Sequence, residues 1–294
     1  MKGWMVILLF FWAGFGCHRD QKAIVFSFKY QPGEVYTYQI YDDVTSTHLS
    51  GQENNRNYYR LQEQRSVMKV LGKDSTGVFK LTLSFTVVHD SLWQIENGKA
   101  VTRQPRRGVK GKNFKYTLHM RENGEIVDVA GRDESSTFFY ERAYKTSQPV
   151  FPQQKIAPGY SWKQTVAVNM PDAEPFTAVT KYTFSGFETV DDYECAVINF
   201  TAHLEIKADL TRSKWNKKHY QKWYYQNITT STGKIYFDYV RGAMVRKETT
   251  ISINRKSDYV DRDGKAIKDY RQIVDKERIK LICVHQDSNF PAIK

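Results

Sequence analysis

Cysteine is scarce in this chain, with three in 294 residues: Cys17, Cys195 and Cys283. No Cys or His lies two to four residues from Cys195 or Cys283 except His285, which excludes a zinc site of familiar spacing. The seven histidines form no His-x-x-x-His or His-Glu-x-x-His pair. A Gly-x-Ser-x-Gly elbow is missing too, since "GYSW" lacks the second glycine and follows no apolar strand. Gly-rich phosphate loops are absent as well. Past the first 16 residues no long uncharged apolar run occurs, so the sequence predicts no transmembrane helix. These absences leave no catalytic signature. His89-Asp90 and His203-Leu204-Glu205 are the remaining acid–base or metal candidates. His203, however, shares a strand face with Asn199, Thr201, Glu205 and Lys207, which reads as a solvated surface. The sequence therefore predicts no enzyme, no metal and no cofactor, an enzyme with a site built from dispersed residues being the least favoured alternative.

Aromatic residues are abundant at 14%, with 19 Tyr and 17 Phe, the material of a β-rich core. Net charge is +12. The N-terminus decides how that charge is read. Lys2, then the apolar "GWMVILLFFWAGFG", then Gly16 have the layout of a secretion signal over 1–16. The residues before Cys17 resemble the lipobox of bacterial lipoproteins: Gly16 and Cys17 match, whereas Gly14 and Phe15 depart from it. That resemblance implies a lipid on the Cys17 thiol and a mature chain beginning there, with palmitate among the expected acyl chains. His18 follows in place of Asp, which implies the outer membrane in preference to the inner, the body facing the periplasm or the cell surface. Behind such a leader the basic balance points to lipid head groups, lipopolysaccharide or anionic glycans and away from nucleic acid. In an oxidising compartment Cys195 and Cys283 are expected either to pair as a disulfide or to stay as separate buried thiols.

The body alternates apolar and polar residues with the period of half-buried antiparallel strands. Phe79, Leu81, Leu83, Phe85 and Val87 share one face, as do Ile198, Phe200, Ala202, Leu204 and Ile206, and so do Phe114, Tyr116, Leu118 and Met120. Turns are expected at "KDSTG" (73–77), "ENG" (96–98 and 122–124) and "DRDGK" (261–265). The order of segments occurs twice, Pro32-Gly33 and Tyr36 answering to Pro158-Gly159 and Trp162 at an offset of 126. The expected organisation is a signal at 1–16, a lipid-anchored tether at 17–23 and a first β unit at 24–131. A helical linker at 132–157, capped at Asp133 or Ser135, follows; then come a second β unit with a C-terminal hairpin at 158–285 and a tail at 286–294.

The leader ending in Cys, the "PGEVYTYQI" opening, the "NGEIVDVAG" hairpin and "FPQQKIAPGYSWKQTV" together resemble an uncharacterised family of bacterial lipoproteins with a domain of unknown function. Its members carry an N-G-x-[IV] hairpin and an F-P…G-x-S-W element between two β-rich halves. The resemblance spans about 25–255 and transfers no catalytic residue. It implies two similar, curved antiparallel β units with a concave apolar face, similar in kind to periplasmic lipoprotein carriers. Phe85, Leu118, Phe200 and Phe237 are expected to line any ligand cavity with Trp162 nearby; a dry core would use the same residues. A second candidate surface is "RSKWNKKHYQKWYYQ" (212–226), where Trp215, Tyr220 and Trp223 interleave with lysines. Such a loop suits a glycan or lipopolysaccharide, or the rings bury inward and serve packing alone. The role expected from all of this is non-enzymatic: binding a hydrophobic or anionic envelope component, or scaffolding. Oligomeric state is not legible.

Overall fold

A computed structural model describes residues 22–50, 56–96, 99–105, 113–131, 134–168, 175–213, 216 and 220–288. Cys17, the leader, Trp215 and the turn at 97–98 lie outside the described residues. The chain is mainly β. In order it forms β1 (Glu34–Ser50), β2 (Arg56–Lys73), β3 (Val78–Glu96), β4 (Lys99–Pro105), β5 (Asn113–Arg121) and β6 (Ile126–Ala130). The helix α1 (Glu134–Ser147) comes next, followed by β7 (Ser161–Val168), β8 (Phe176–Val190), β9 (Tyr193–Asp209), β10 (Lys222–Asp238), β11 (Ala243–Val260) and β12 (Ala266–Gln286). No helix among the described residues is long and apolar enough to cross a membrane.

All the strands belong to one antiparallel sheet in the order β6-β5-β3-β2-β1-β12-β11-β10-β9-β8-β7, with β4 attached to β3 alone. The first and last long strands, β1 and β12, are therefore neighbours, paired from Glu34↔Gln286 to Ser50↔Asp269. The two edges β6 and β7 both contact α1, so the sheet curls until one helix bridges its ends.

Alternation accounts for the inner face. Along β8, Phe176, Ala178, Thr180, Tyr182 and Phe184 are buried while their neighbours are half-buried or exposed. The main core sits where strand ends converge: the start of β1 (Tyr36, Tyr38), the end of β2 (Met68, Val70), the start of β3 (Phe79, Leu81) and the end of β10 (Ile235, Phe237). Beyond that level β1, β11 and β12 run on as long strands. Among the described residues of their far halves only Ser257 is buried.

The closed end is sealed by the segment before β1. Ile24 pairs with Ile156, the Phe28 N–H donates to the Glu122 carbonyl (2.7 Å), and the Lys29 N–H donates to the Gly242 carbonyl (3.1 Å). Phe26 packs its ring among Phe151, Phe184 and Phe237, with centroids at 5.0, 5.2 and 5.8 Å. One strap thus ties the β5–β6 turn to the β10–β11 turn.

The expected turns at 73–77, 122–124 and 261–265 all close hairpins. The sequence reading passed over another, Asp191-Asp192, where both residues take positive φ (48° and 67°) between β8 and β9, the signature of a two-residue hairpin turn. The two Pro-Gly pairs form alike: Gly33 and Gly159 have φ of 85° and 93°, as expected after Pro in a type II turn. Their N–H groups donate to Val70 and Phe184 (2.8 and 2.7 Å). Each acceptor directly precedes a register shift, at Gly72 in one half and Gly186 in the other.

Candidate ligand cavity

The inner face is not filled along its whole length. Against α1 and the core lies a cavity of about 460 Å³, walled by Tyr38, Ile40 and Leu83 from the first half and by Phe200, Ile251 and Ile279 from the second. Its origin is the size of the residues facing inward on β8, β9 and β10. Ala178, Thr180, Ala202 and Ser231 all line it, and Gly233 stands directly between Phe200 and Thr249 in the ladder. Facing strands filled with larger residues would close such a gap. Gly233 is required by close approach: a Cβ there would stand 2.0 Å from the Glu248 carbonyl oxygen and 2.8 Å from the Phe200 ring. The Phe200 ring fills that place.

Of the residues expected around a cavity, Phe85, Leu118 and Phe200 line it. Phe237 does not; it is fully buried in the dry core against Phe26 and Phe28. Trp162 stands beside the cavity as part of the core, stacked on Tyr182 at 5.2 Å, its Nε1–H donating to the Val150 carbonyl (3.0 Å).

A polar belt crosses the same face. Lys247, Thr249 and Glu277 line the cavity. Glu277 is the direct partner of both Thr249 and Asp42, and Asp275 is the partner of Val44 one step on. Opposed carboxylates on one face of a sheet repel each other. Burial, then the Glu277 and Asp275 charges, push the Asp42 carboxyl up to about 7, with Arg60 and a hydrogen bond from Gln64 opposing. Burial and Glu277 push Asp275 up to about 6. Arg60 itself is committed to Asp90, donating from Nε at 2.8 Å.

The disulfide between Cys195 and Cys283 does not form; both are free thiols. They lie on β9 and β12, with β10 and β11 between them. Three ladder spacings are about 14 Å along the sheet, whereas a bridge needs Cα atoms roughly 4.4–6.8 Å apart. Cys195 is buried on the outer face among Val190, Val197, Tyr236 and Val245; burial, then the Asp238 charge, push its thiol up to about 12. Cys283 is exposed.

In the basic-aromatic loop, Tyr220 packs on Tyr259 at 4.4 Å and edge-on to Trp223 at 6.0 Å. Trp223 is half-buried. Neither lines the cavity. Among the acid–base candidates, His203 is exposed, and His89 and Ser91 share a hydrogen bond (Nε2–Oγ 2.8 Å). Among the described residues no group of His, Cys, Asp or Glu is placed to hold a metal. Lys247 and Thr249 are not legible as site residues in the sequence, although with Ile251 they alternate along the inward face of β11. A second missed signal was the run of small inward residues opposite them.

No protein-family model matches the chain, and no curated protein matches it. Among solved structures, lipovitellin, studied for its lipid–protein interactions, aligns over 90% of this chain at 10% identity and a TM-score of 0.47; the chain spans 26% of that one. A Parabacteroides distasonis ATCC 8503 chain described as a lipoprotein aligns over 90% of this chain and 100% of its own, at 12% identity and a TM-score of 0.35. An exported protein with YmcC-like fold from Bacteroides fragilis NCTC 9343 aligns over 89% and 100%, at 10% identity and a TM-score of 0.31. Identities this low leave each likeness at the level of β architecture, and none bears on what the cavity holds.

Proposed function

We propose that this chain is the body of a cell-envelope lipoprotein that is not an enzyme and that holds a hydrophobic ligand in the cavity between the curled sheet and α1. The observation that carries this reading is the cavity itself. Its volume of about 460 Å³ lies within the range of small-molecule sites, and its walls are aliphatic and aromatic side chains drawn from both halves of the chain. Each methylene transferred from water to such a wall contributes about 0.8 kcal/mol, so one acyl chain supplies enough to offset the cost of association.

The anchor in this reading is a lipid on Cys17, set in the outer membrane. From Cys17 to Ile24 the chain spans at most about 25 Å. Ile24 is fixed at the closed end by its pairing with Ile156. A lipid on Cys17 therefore holds the closed end near the membrane, with the long strands directed away from it.

Mass spectrometry of the chain purified from its native envelope tests the proposal. Wild type is expected to release a lipid or other apolar molecule, and A202W, which fills the cavity from β9, is expected to retain about ten-fold less. A wild-type protein that carries nothing, and that takes up no fluorescent N-phenyl-naphthylamine, overturns it.

A further inference from the structure

Lys247 is a cation in an apolar place. Its side chain lines the cavity and the residue is only 8% exposed. Its ladder partners on either side are Ile235 and Ile279, and its Nζ lies 5.7 Å from the centre of the Phe200 ring. Among the described residues no carboxylate comes within ion-pair distance of it; Asp90 is paired with Arg60, and Glu277 stands one row further on, across from Thr249. An ammonium withdrawn from water is costly unless an anion meets it, and a cation–π contact with Phe returns only part of that cost. Two residues on, on the same inward face, Thr249 is 7% exposed and its Oγ1 is buried without a hydrogen-bond partner. A donor cation and an unused hydroxyl thus face one apolar cavity side by side.

Building on the cavity reading above, we propose that the ligand is a single-chain amphiphile with an anionic head group, carboxylate or phosphate, bound by Lys247 Nζ and Thr249 Oγ1 while its chain lies along the apolar walls. The ammonium supplies charge-assisted hydrogen bonds to the anion, the Thr hydroxyl donates a further one, and the Phe200 ring holds the lysine stem in place. Asp42 and Glu277 stand opposite each other in the row of Thr249, one row further from the closed end than Lys247. Their charge keeps the anion on the Lys247 side of that row, where the Thr249 hydroxyl can still reach it, and makes Lys247 the attractive position for it. A cationic head group would be drawn to the acids and repelled by Lys247, so the sign of the preferred head group reports which of the two governs the site.

The test measures displacement of N-phenyl-naphthylamine from the delipidated full-length chain by laurate, dodecyl phosphate, dodecanol and dodecyltrimethylammonium. Laurate and dodecyl phosphate are expected to bind about ten-fold tighter than dodecanol, and the cation weakest. K247M is expected to remove that advantage, so that laurate and dodecanol bind this variant alike, and T249V to reduce it in part. The proposal is overturned if the wild-type chain binds all four alike or the cation most tightly, or if K247M leaves laurate affinity as it was. In those cases dodecanol binding still stands for the cavity; failure of all four probes to bind removes the cavity reading together with this one. The wild-type head-group series needs no variant to fold.

Discussion

At the scale of single residues, the acids of the inner face set a pH dependence. Asp42 is raised to about 7 by burial and by Glu277 and Asp275 on β12, with Arg60 and Gln64 on β2 opposing. Unfolded, an aspartate titrates near its ordinary value of about 3.9. Between those two pH values the folded chain binds more protons than the unfolded one, so stability falls as pH rises through that window. Asp275, raised to about 6, adds to the same slope. D42N removes the Asp42 share. Urea denaturation is expected to show D42N matching wild type near pH 4 and exceeding it by about 2–4 kcal/mol near pH 8. A wild-type stability that rises over this window contradicts the assignment. Residues of this kind were hard to read from sequence. Phe85, Leu118 and Phe200 declare an inward face by alternation and hydrophobicity. Asp42 and Lys247 obey the same alternation, but their charge marks them as solvated, and only the register of β1, β11 and β12 places them inside.

Among the elements, the strap before β1 carries more than its length suggests. Ile24, Phe26, Phe28 and Tyr30 alternate like a strand, yet outside the Ile24–Ile156 bridge this segment joins no ladder. Its backbone is satisfied by the turns of two hairpins far apart in sequence. Alternation reports only that one side is buried; it does not say what the other side pairs with. Phe26 is 2% exposed and touches aromatic rings from the linker, β8 and β10. F26A is expected to cost about 3–5 kcal/mol, read as a lowered midpoint in thermal melts, and to loosen the closed end as a unit, read as faster hydrogen exchange at both 122–124 and 239–242. Exchange that rises at one turn alone would contradict the tie between them. The hairpins and α1 were legible because turn chemistry and a break in alternation are local signals. The strap and the Asp191-Asp192 turn were not: the first depends on distant partners, and the second lacks the glycine that marks most two-residue turns.

For the whole molecule, the question is whether the repeated order of segments makes two folding units. Local devices recur in both halves, from the Pro-Gly turns at Gly33 and Gly159 to the register shifts at Gly72 and Gly186. Duplication of a β unit accounts for this economically, and we propose it. Repetition of parts, however, is not independence of folding. β1 and β12 pair along their full length, so neither half has a free edge at the centre of the sheet. The main core takes Tyr36, Leu81 and Met120 from one half and Phe184, Ile198 and Phe237 from the other, with the strap between them. Removing either half exposes a core face and a long unpaired strand at once. Scanning calorimetry of the full chain is accordingly expected to show one transition whose calorimetric and van't Hoff enthalpies agree. Fragments 24–131 and 158–285, expressed separately, are expected to lack native near-ultraviolet dichroism. Two resolved transitions, or a fragment that melts cooperatively alone, would show instead that the halves are domains joined at an interface. The cavity follows the same logic, since its walls come from both halves: in a cooperative molecule an apolar ligand raises the single transition as a whole, and in a divided one it raises only the half that holds it.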